Sequence, residues 1–192
     1  MKRSLVTLLF ASLLMLPYAS GAQASPMSFL KQTQAKLNAL AKANATDAQL
    51  KAAVNKLLDF EFMAQRTLQA HWASLTADQR SRFTKTFRRL LEKNYIKGLR
   101  KRKNYTVVYK SQSSSGGMAK VSTEVKYVRK GRQRSNEIVY RLRRSGGRWV
   151  IFDVIVDDVS MENNYKRSFG KIMKKSGFDV LLSKLKKKVA RN

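Results

Sequence analysis

The chain has 192 residues, no cysteine, and 40 Lys and Arg residues against 12 Asp and Glu, which gives a formal net charge of +28 at pH 7. A chain without cysteine forms no disulfides or thiolate metal sites, and its single histidine leaves too few ligands for a transition-metal site. The excess of positive charge favours anionic partners, either nucleic acid or lipid head groups.

The first 24 residues have the three parts of a secretory signal peptide. Lys2 and Arg3 are positively charged, a short apolar run follows, and Ala22-Gln23-Ala24 fits a cleavage site. The apolar run is shorter than the roughly 20 residues that a transmembrane helix needs. We therefore expect residues 25–192 to form a single domain in a bacterial periplasm. Its net charge would be +26, since the signal peptide holds two of the cations and no acid.

Helical spacing of apolar residues predicts several helices within about residues 27–100. The last of these, with Phe83 and Phe87 on its apolar face, has the clearest pattern. The third is expected to end near His71. Four helices have candidate N-caps, two of them in capping boxes with a Gln three residues later. The caps are Ser28, Thr46 (with Gln49), Asp59 and Thr76 (with Gln79).

After residue 104 the apolar period changes from 3.6 to 2, which predicts four antiparallel strands up to about residue 160. The run 148–161 is apolar on both sides and is expected to be one interior strand. Alternation places Trp149, Ile151, Asp153 and Ile155 on one side and Val150, Phe152, Val154 and Val156 on the other. One side would be covered by protein, and the other by protein or a bound ligand.

Helical spacing returns at about 162–190, with Gly177 a candidate helix stop. The order of elements predicts an α+β fold, in which N-terminal and C-terminal helices cover one face of a curved four-stranded antiparallel sheet.

Enzyme chemistry has little support. His71 is the only histidine, no nucleophile-elbow pattern is present, and no glycine loop follows a strand and opens a helix. We expect no catalytic residue, metal or cofactor. Asp153 lies among large apolar residues, so its carboxylate needs a partner. A backbone amide or a cation is the favoured partner; the alternative is a position at the rim of a ligand opening.

Positive charge is concentrated in the strand region. Between Lys97 and Arg148 there are 16 Lys or Arg residues, with Glu124 and Glu137 as the only acids. Alternation places most of these cations on one sheet face and in its turns. A solvated surface and a functional surface for anions explain the pattern equally well.

An ordered set of motifs extends over about residues 30–187. Its members are Asp59-Phe60, Trp72, Thr76-Ala77-Asp78-Gln79-Arg80, Phe83, Phe87, Leu90-Leu91, Tyr95, Tyr140, Trp149, Asp153 and Val159-Ser160. In this order, after a signal peptide, the set resembles the MlaC family of periplasmic phospholipid-binding proteins, also called the toluene-tolerance auxiliary family.

The resemblance implies an NTF2-like sheet with added helices around a deep apolar cavity, which takes up the acyl chains of a phospholipid and leaves its head group near solvent. It implies a monomeric carrier that makes transient membrane contact, binds no nucleic acid and supports outer-membrane lipid asymmetry. The implied partners are an inner-membrane ABC transporter with an MCE-domain subunit and an outer-membrane lipoprotein–porin complex. We expect this cavity to be lined by Tyr95, Leu99, Tyr105, Val107, Val125, Tyr140, Leu142, Trp149, Ile151, Phe169, Met173 and Leu181.

Two other functions stay open at the level of sequence. One is a cationic module that binds nucleic acid or lipopolysaccharide, with salt-dependent affinity and no interior lipid. The other is a related carrier of hopanoid-like or other apolar ligands.

Overall fold

The computed structural model describes residues 24–101 and 105–191, so nearly all of the predicted signal peptide lies outside the described residues. Within them, helices precede a sheet and a long helix follows it, which confirms the predicted α+β fold. The helices are α1 (Pro26–Lys42), α2 (Asp47–Leu57), α3 (Phe60–Thr67), α4 (Gln69–Trp72), α5 (Ala77–Lys101) and α6 (Met161–Arg191). The strands are β1 (Tyr105–Ser115), β2 (Met118–Arg129), β3 (Arg132–Ser145), β4 (Arg148–Val156) and β5 (Val159–Ser160).

The cap predicted at Ser28 is wrong, since α1 begins at Pro26 and its cap is Ser25, whose hydroxyl accepts from Ser28 N at 3.1 Å. The other three predicted helix starts are confirmed by their hydrogen bonds. At α2, the Thr46 hydroxyl accepts from Gln49 N at 3.3 Å while Gln49 Oε1 accepts from Thr46 N at 2.9 Å. The second predicted box, at Thr76, makes the same pair of bonds before α5. Asp59 accepts from the backbone N of residue 62 at 3.1 Å and caps α3. The third predicted helix is two short helices, because the backbone leaves helical geometry at Leu68 (φ −106°, ψ 14°).

The sheet has five strands in the order β1-β2-β3-β4-β5, with antiparallel pairing throughout. The prediction of one strand over 148–161 is wrong, because the chain turns at Asp157 (φ 45°) and Asp158 (φ 64°) before it forms β5. Aspartate tolerates this left-handed conformation better than most residues. The Asp157 carboxylate also accepts from Glu137 N at 2.9 Å and from the side chain of Asn136, which fixes the turn against β3.

A β-bulge at Phe152 changes which side chains share a face of β4. Arg141 pairs with Asp153 and Leu142 with Ile151, so Phe152 has no partner on β3. Residues directly opposite each other share a face. Strict alternation along β4 is therefore a wrong prediction: Val154, opposite Tyr140, lies on the same face as Ile151 although the two are three residues apart.

The main hydrophobic cluster lies on the face that carries Val121, Tyr140, Leu142 and Ile151, which we call the inner face. On the other face, Arg143 contacts Asp59 and the ring of Phe62 at α3. Helices α5 and α6 meet in an aromatic cluster whose ring centroids are 5.0–5.6 Å apart. The members of this cluster are Phe83, Phe87, Tyr165 and Phe169. α6 breaks at Gly177 (φ 76°), the predicted helix stop. None of the helices in the described ranges is long and apolar enough to cross a membrane.

Candidate functional site

An open cleft of about 1450 Å³ lies where the C-terminal ends of α1 and α5 approach the first three strands. Its volume exceeds the roughly 300–1000 Å³ of most small-molecule sites. The cleft is lined by Asn38, Ala41, Lys42, Asn44, Leu99, Arg100, Tyr105, Thr106, Val108, Glu124, Lys126, Tyr127, Val128, Gln133, Arg134 and Ser135.

Part of the cleft wall is apolar and packs against the core. Tyr105 and Tyr127 are directly opposite each other on β1 and β2, and both are half-buried against the main hydrophobic cluster. Leu99 of α5 packs against that cluster and against a smaller one formed by Ala45, Leu50 and Ile96. An apolar ligand entering here would therefore meet apolar side chains from a helix and two strands.

The rim of the cleft is positively charged. It carries four cations, Lys42, Arg100, Lys126 and Arg134, and a single acid, Glu124. Glu124 is already paired, since its carboxylate lies 2.8 Å from Lys110 Nζ, and the hydrogen bond from Lys110 lowers the pKa of Glu124. Lys42 and Arg134 form no ion pair with any described residue. This rim suits an anionic group such as a phosphate.

Three tyrosines, Tyr105, Tyr109 and Tyr140, hold α1 over the inner face, and we call them the tyrosine row. Gln34 Nε2 donates to the Tyr140 hydroxyl at 2.8 Å. The Tyr109 hydroxyl donates to Gln34 Oε1, and the Tyr105 hydroxyl donates to Asn38 Oδ1. Burial raises the pKa of Tyr140 and of Tyr109, so these phenols stay neutral and keep their hydrogen bonds.

All twelve predicted lining residues belong to one hydrophobic cluster. The buried members are Val125, Tyr140, Leu142, Trp149, Ile151, Phe169 and Leu181, and the partly buried ones are Tyr95, Leu99, Tyr105, Val107 and Met173. Of these, only Leu99 and Tyr105 line the cleft. The other ten do not line it, and for all twelve contact with a ligand stays a prediction.

Several residues at the cleft were not singled out from the sequence. Alternation in β2 could have found Tyr127, because it follows Val125 on the apolar side. Asn38 and Lys42 had no such signal, since they are polar residues on a helix whose periodicity marks only its buried positions.

Asp153 confirms the favoured expectation of a structural partner. Its carboxylate is fully buried and accepts from Ser160 Oγ at 2.7 Å and from the backbone N of Glu162 at 2.9 Å. A guanidinium nitrogen of Arg141 lies 3.7 Å away. Asp153 is not among the residues that line the cleft.

Comparisons with known proteins agree on one family. The model of the family described as MlaC protein matches residues 24–187. The intermembrane phospholipid transport system binding protein MlaC of Haemophilus influenzae is 25% identical over 175 residues, which cover 85% of this chain and 82% of that protein. A solved structure of a phospholipid-binding protein from Ralstonia solanacearum, in complex with a phospholipid, has a TM-score of 0.75 at 20% identity and covers 88% of this chain and 98% of that one. Since the family match takes in most of the chain, this protein belongs to the MlaC family.

Proposed function

We propose that this protein is a periplasmic phospholipid carrier, without enzymatic activity, that is exported by its N-terminal signal peptide. The observation that carries the proposal is the cleft, in which an apolar patch that packs against the core lies beside several cations. Membership of the MlaC family supports it, as do the phospholipid-transport name of the Haemophilus influenzae relative and the bound phospholipid of the Ralstonia solanacearum structure.

The two parts of the cleft match the two parts of a phospholipid. Cations at the rim would pair with the phosphate. Each buried methylene contributes about 0.8 kcal/mol, so an acyl chain of some 16 carbons gains roughly 12 kcal/mol on burial. Spontaneous release into water would then be slow, and delivery would need a receiving site of comparable affinity.

Acyl chains would enter past Leu99 and Tyr105 and run along the inner face under α1. The partly buried Tyr95, Val107 and Met173 already lie at the edge of the core. Fully buried residues such as Leu142 would contact lipid only after the helices move away from the sheet. We therefore expect α1 to shift away from the sheet on loading. The shift would involve the three side-chain hydrogen bonds that link α1 to the tyrosine row.

The carrier would exchange lipid between the outer and inner membranes and so support outer-membrane lipid asymmetry. Its proposed partners are an outer-membrane lipoprotein–porin complex and an inner-membrane ABC transporter with an MCE-domain subunit. A monomer suits this role, because it can present the same cleft to each partner in turn. These partners rest on the family and on the transport-system name of the relative.

Mass spectrometry of lipids extracted from natively purified protein tests the proposal. We expect bound phospholipid in the wild type and its loss in Leu99→Glu, which places a carboxylate on the apolar wall of the cleft. Val180→Glu is the matched control, since Val180 is 38% exposed and does not line the cleft. Recovery of no lipid from the wild type, or equal lipid in Leu99→Glu, would contradict the proposal.

The same experiment separates the other two functions. A hopanoid-like lipid in the extract would indicate a carrier of a different ligand. A polyanion-binding module would contain no lipid and would bind nucleic acid or lipopolysaccharide with strong salt dependence.

A further inference from the structure

The tip of the β2–β3 hairpin, residues 126–134, carries more positive charge than the fold requires. It has five cations and no acid within nine residues, and its turn is tight because Lys130 (φ 52°) and Gly131 (φ 72°) both adopt the left-handed conformation. All five cations are exposed: Lys126, Arg129, Lys130, Arg132 and Arg134.

These charges do not stabilise the hairpin. Arg129 and Arg132 are directly opposite each other across the two strands, and like charges in that position are destabilising. In the described part of the chain, Lys126 alone of the five forms an ion pair, with Glu124 at 3.8 Å. A cluster that is unfavourable for the fold and unneutralised within it points to an external anion.

The tip adjoins the mouth of the cleft. A second, smaller hollow of about 450 Å³ is lined by Tyr127, Arg129, Lys130, Arg132 and Arg134. Two of these residues, Tyr127 and Arg134, also line the large cleft. Whatever binds at the tip is therefore held directly beside the opening through which a lipid would pass.

We propose that this hairpin tip docks the protein on the anionic surface of a lipid bilayer, so that the cleft mouth faces the head groups. The inference deepens the proposed carrier function and rests on it. Basic side chains near an anionic membrane each add to the affinity without any need for shape complementarity. Val128, 64% exposed between the cations, can enter the head-group region.

A protein partner fits the tip less well. A stable protein interface needs roughly 800 Å² on each side and a largely apolar centre. The tip is a two-stranded projection on which Val128 is the only exposed aliphatic side chain. Its single-sign charge matches a bilayer of anionic lipids better than a packed interface.

Vesicle binding by the purified mature protein tests the proposal. The variant Arg129→Gln/Lys130→Asn/Arg132→Gln removes three charges at the tip and none from the lining of the large cleft. The matched control, Lys184→Gln/Lys186→Gln/Lys187→Gln, removes three exposed charges from α6. Partitioning is measured by co-sedimentation with phosphatidylcholine vesicles containing phosphatidylglycerol, and with phosphatidylcholine vesicles alone.

We expect the wild type to bind the anionic vesicles and not the neutral ones. At about fivefold per basic residue, the tip variant should lose roughly a hundredfold in partition coefficient, and the α6 variant much less. Equal losses in the two variants would overturn the proposal, because net charge and not the hairpin would then direct binding. Unchanged vesicle binding by the tip variant would also overturn it. If that variant bound vesicles normally but had lost lipid delivery, the tip would be assigned to a protein partner.

The lipid content of the same preparations separates this proposal from the carrier function. A tip variant that retains bound phospholipid but no longer binds vesicles supports both proposals. Vesicle binding through the tip by a protein that never contains lipid would contradict the carrier function and leave the docking surface standing.

Discussion

At the residue scale, Asp153 joins the sheet to the last helix. Its carboxylate accepts from the backbone N of Glu162, which lies in the first turn of α6, and from Ser160 in β5. Glu162 in turn pairs with Arg66 of α3 at 2.7 Å, and this bond raises the pKa of Arg66. One buried acid therefore fixes where β4, β5 and α6 meet.

Replacing Asp153 with Asn tests this role. The substitution keeps the size of the side chain, but it removes the charge and replaces one of the two acceptor oxygens with an N–H donor, which would face either Glu162 N or Ser160 Oγ. Hydrogen bonds to charged groups contribute about 1.5–3 kcal/mol, so we expect the free energy of unfolding to fall by about 2 kcal/mol. Urea denaturation followed by circular dichroism measures it.

Asp158→Asn provides the control, because Asp158 is exposed in the β4–β5 turn and Asn tolerates its positive φ. Its free energy of unfolding should change by less than about 0.5 kcal/mol. Equal effects of the two substitutions would show that the buried carboxylate is not the link we describe.

The chemistry of this position could be predicted from the sequence, but its partners could not. A carboxylate among Ile151, Val154 and Phe152 must be paired, and that requirement is local. The donors come from Ser160 and Glu162, which reach Asp153 only because the chain turns at residues 157–158. Apolar alternation carries no signal for such a turn.

At the element scale, α1 is held over the inner face by polar contacts as well as by packing. Gln34 bridges Tyr109 and Tyr140 with its side-chain amide. Leu30 and Leu37, about one helical turn before and after Gln34, are buried. Since Tyr140 is largely buried, removal of its partner leaves a hydroxyl without a hydrogen bond.

We expect Gln34→Ala to loosen α1 more than the rest of the fold. The loss of two hydrogen bonds should lower the free energy of local opening by about 1–2 kcal/mol. Hydrogen exchange monitored by mass spectrometry would then be faster in residues 26–42 and unchanged in α5. Gln32→Ala is the control, because Gln32 is exposed and bonds only Ser28 within its own helix; the same exchange in both variants would exclude a role for the tyrosine row in holding α1.

The starts of α2, α3 and α5 were predictable because their signals are local. Thr46, Asp59 and Thr76 each satisfy a backbone N–H within three residues, so sequence spacing alone identifies them. The two bulges in the sheet, at Lys110 and Phe152, depend on how neighbouring strands meet. Nothing in either strand's own pattern marks the extra residue.

At the scale of the whole molecule, the order of elements was sufficient for the fold class, while the cleft depends on long-range packing. Leu99, Tyr105 and Arg134 come from three different elements and meet only when α5 ends beside the sheet. The predicted interior residues share one hydrophobic cluster for a simpler reason, since apolar periodicity identifies the faces that must be buried.

The net charge is a property of the whole chain and should control stability through salt. The chain has 40 Lys and Arg residues but only 12 Asp and Glu residues to offset them. Several of these acids, such as Glu92 and Glu162, are already in ion pairs. Repulsion among the remaining cations disfavours the compact state, and it is screened over about 10 Å at 0.1 M salt. We therefore expect the free energy of unfolding in urea to rise by on the order of 1–2 kcal/mol between 20 mM and 300 mM NaCl.

The variant Lys184→Gln/Lys186→Gln/Lys187→Gln shows whether repulsion is the cause. With three fewer cations on α6, it should be more stable than the wild type at 20 mM NaCl and should gain less from added salt. Urea is the appropriate denaturant because it leaves ionic strength unchanged. A fall in stability with salt would mean that the ion pairs, including the buried ones at Glu92 and Glu162, outweigh the repulsion between the unpaired cations.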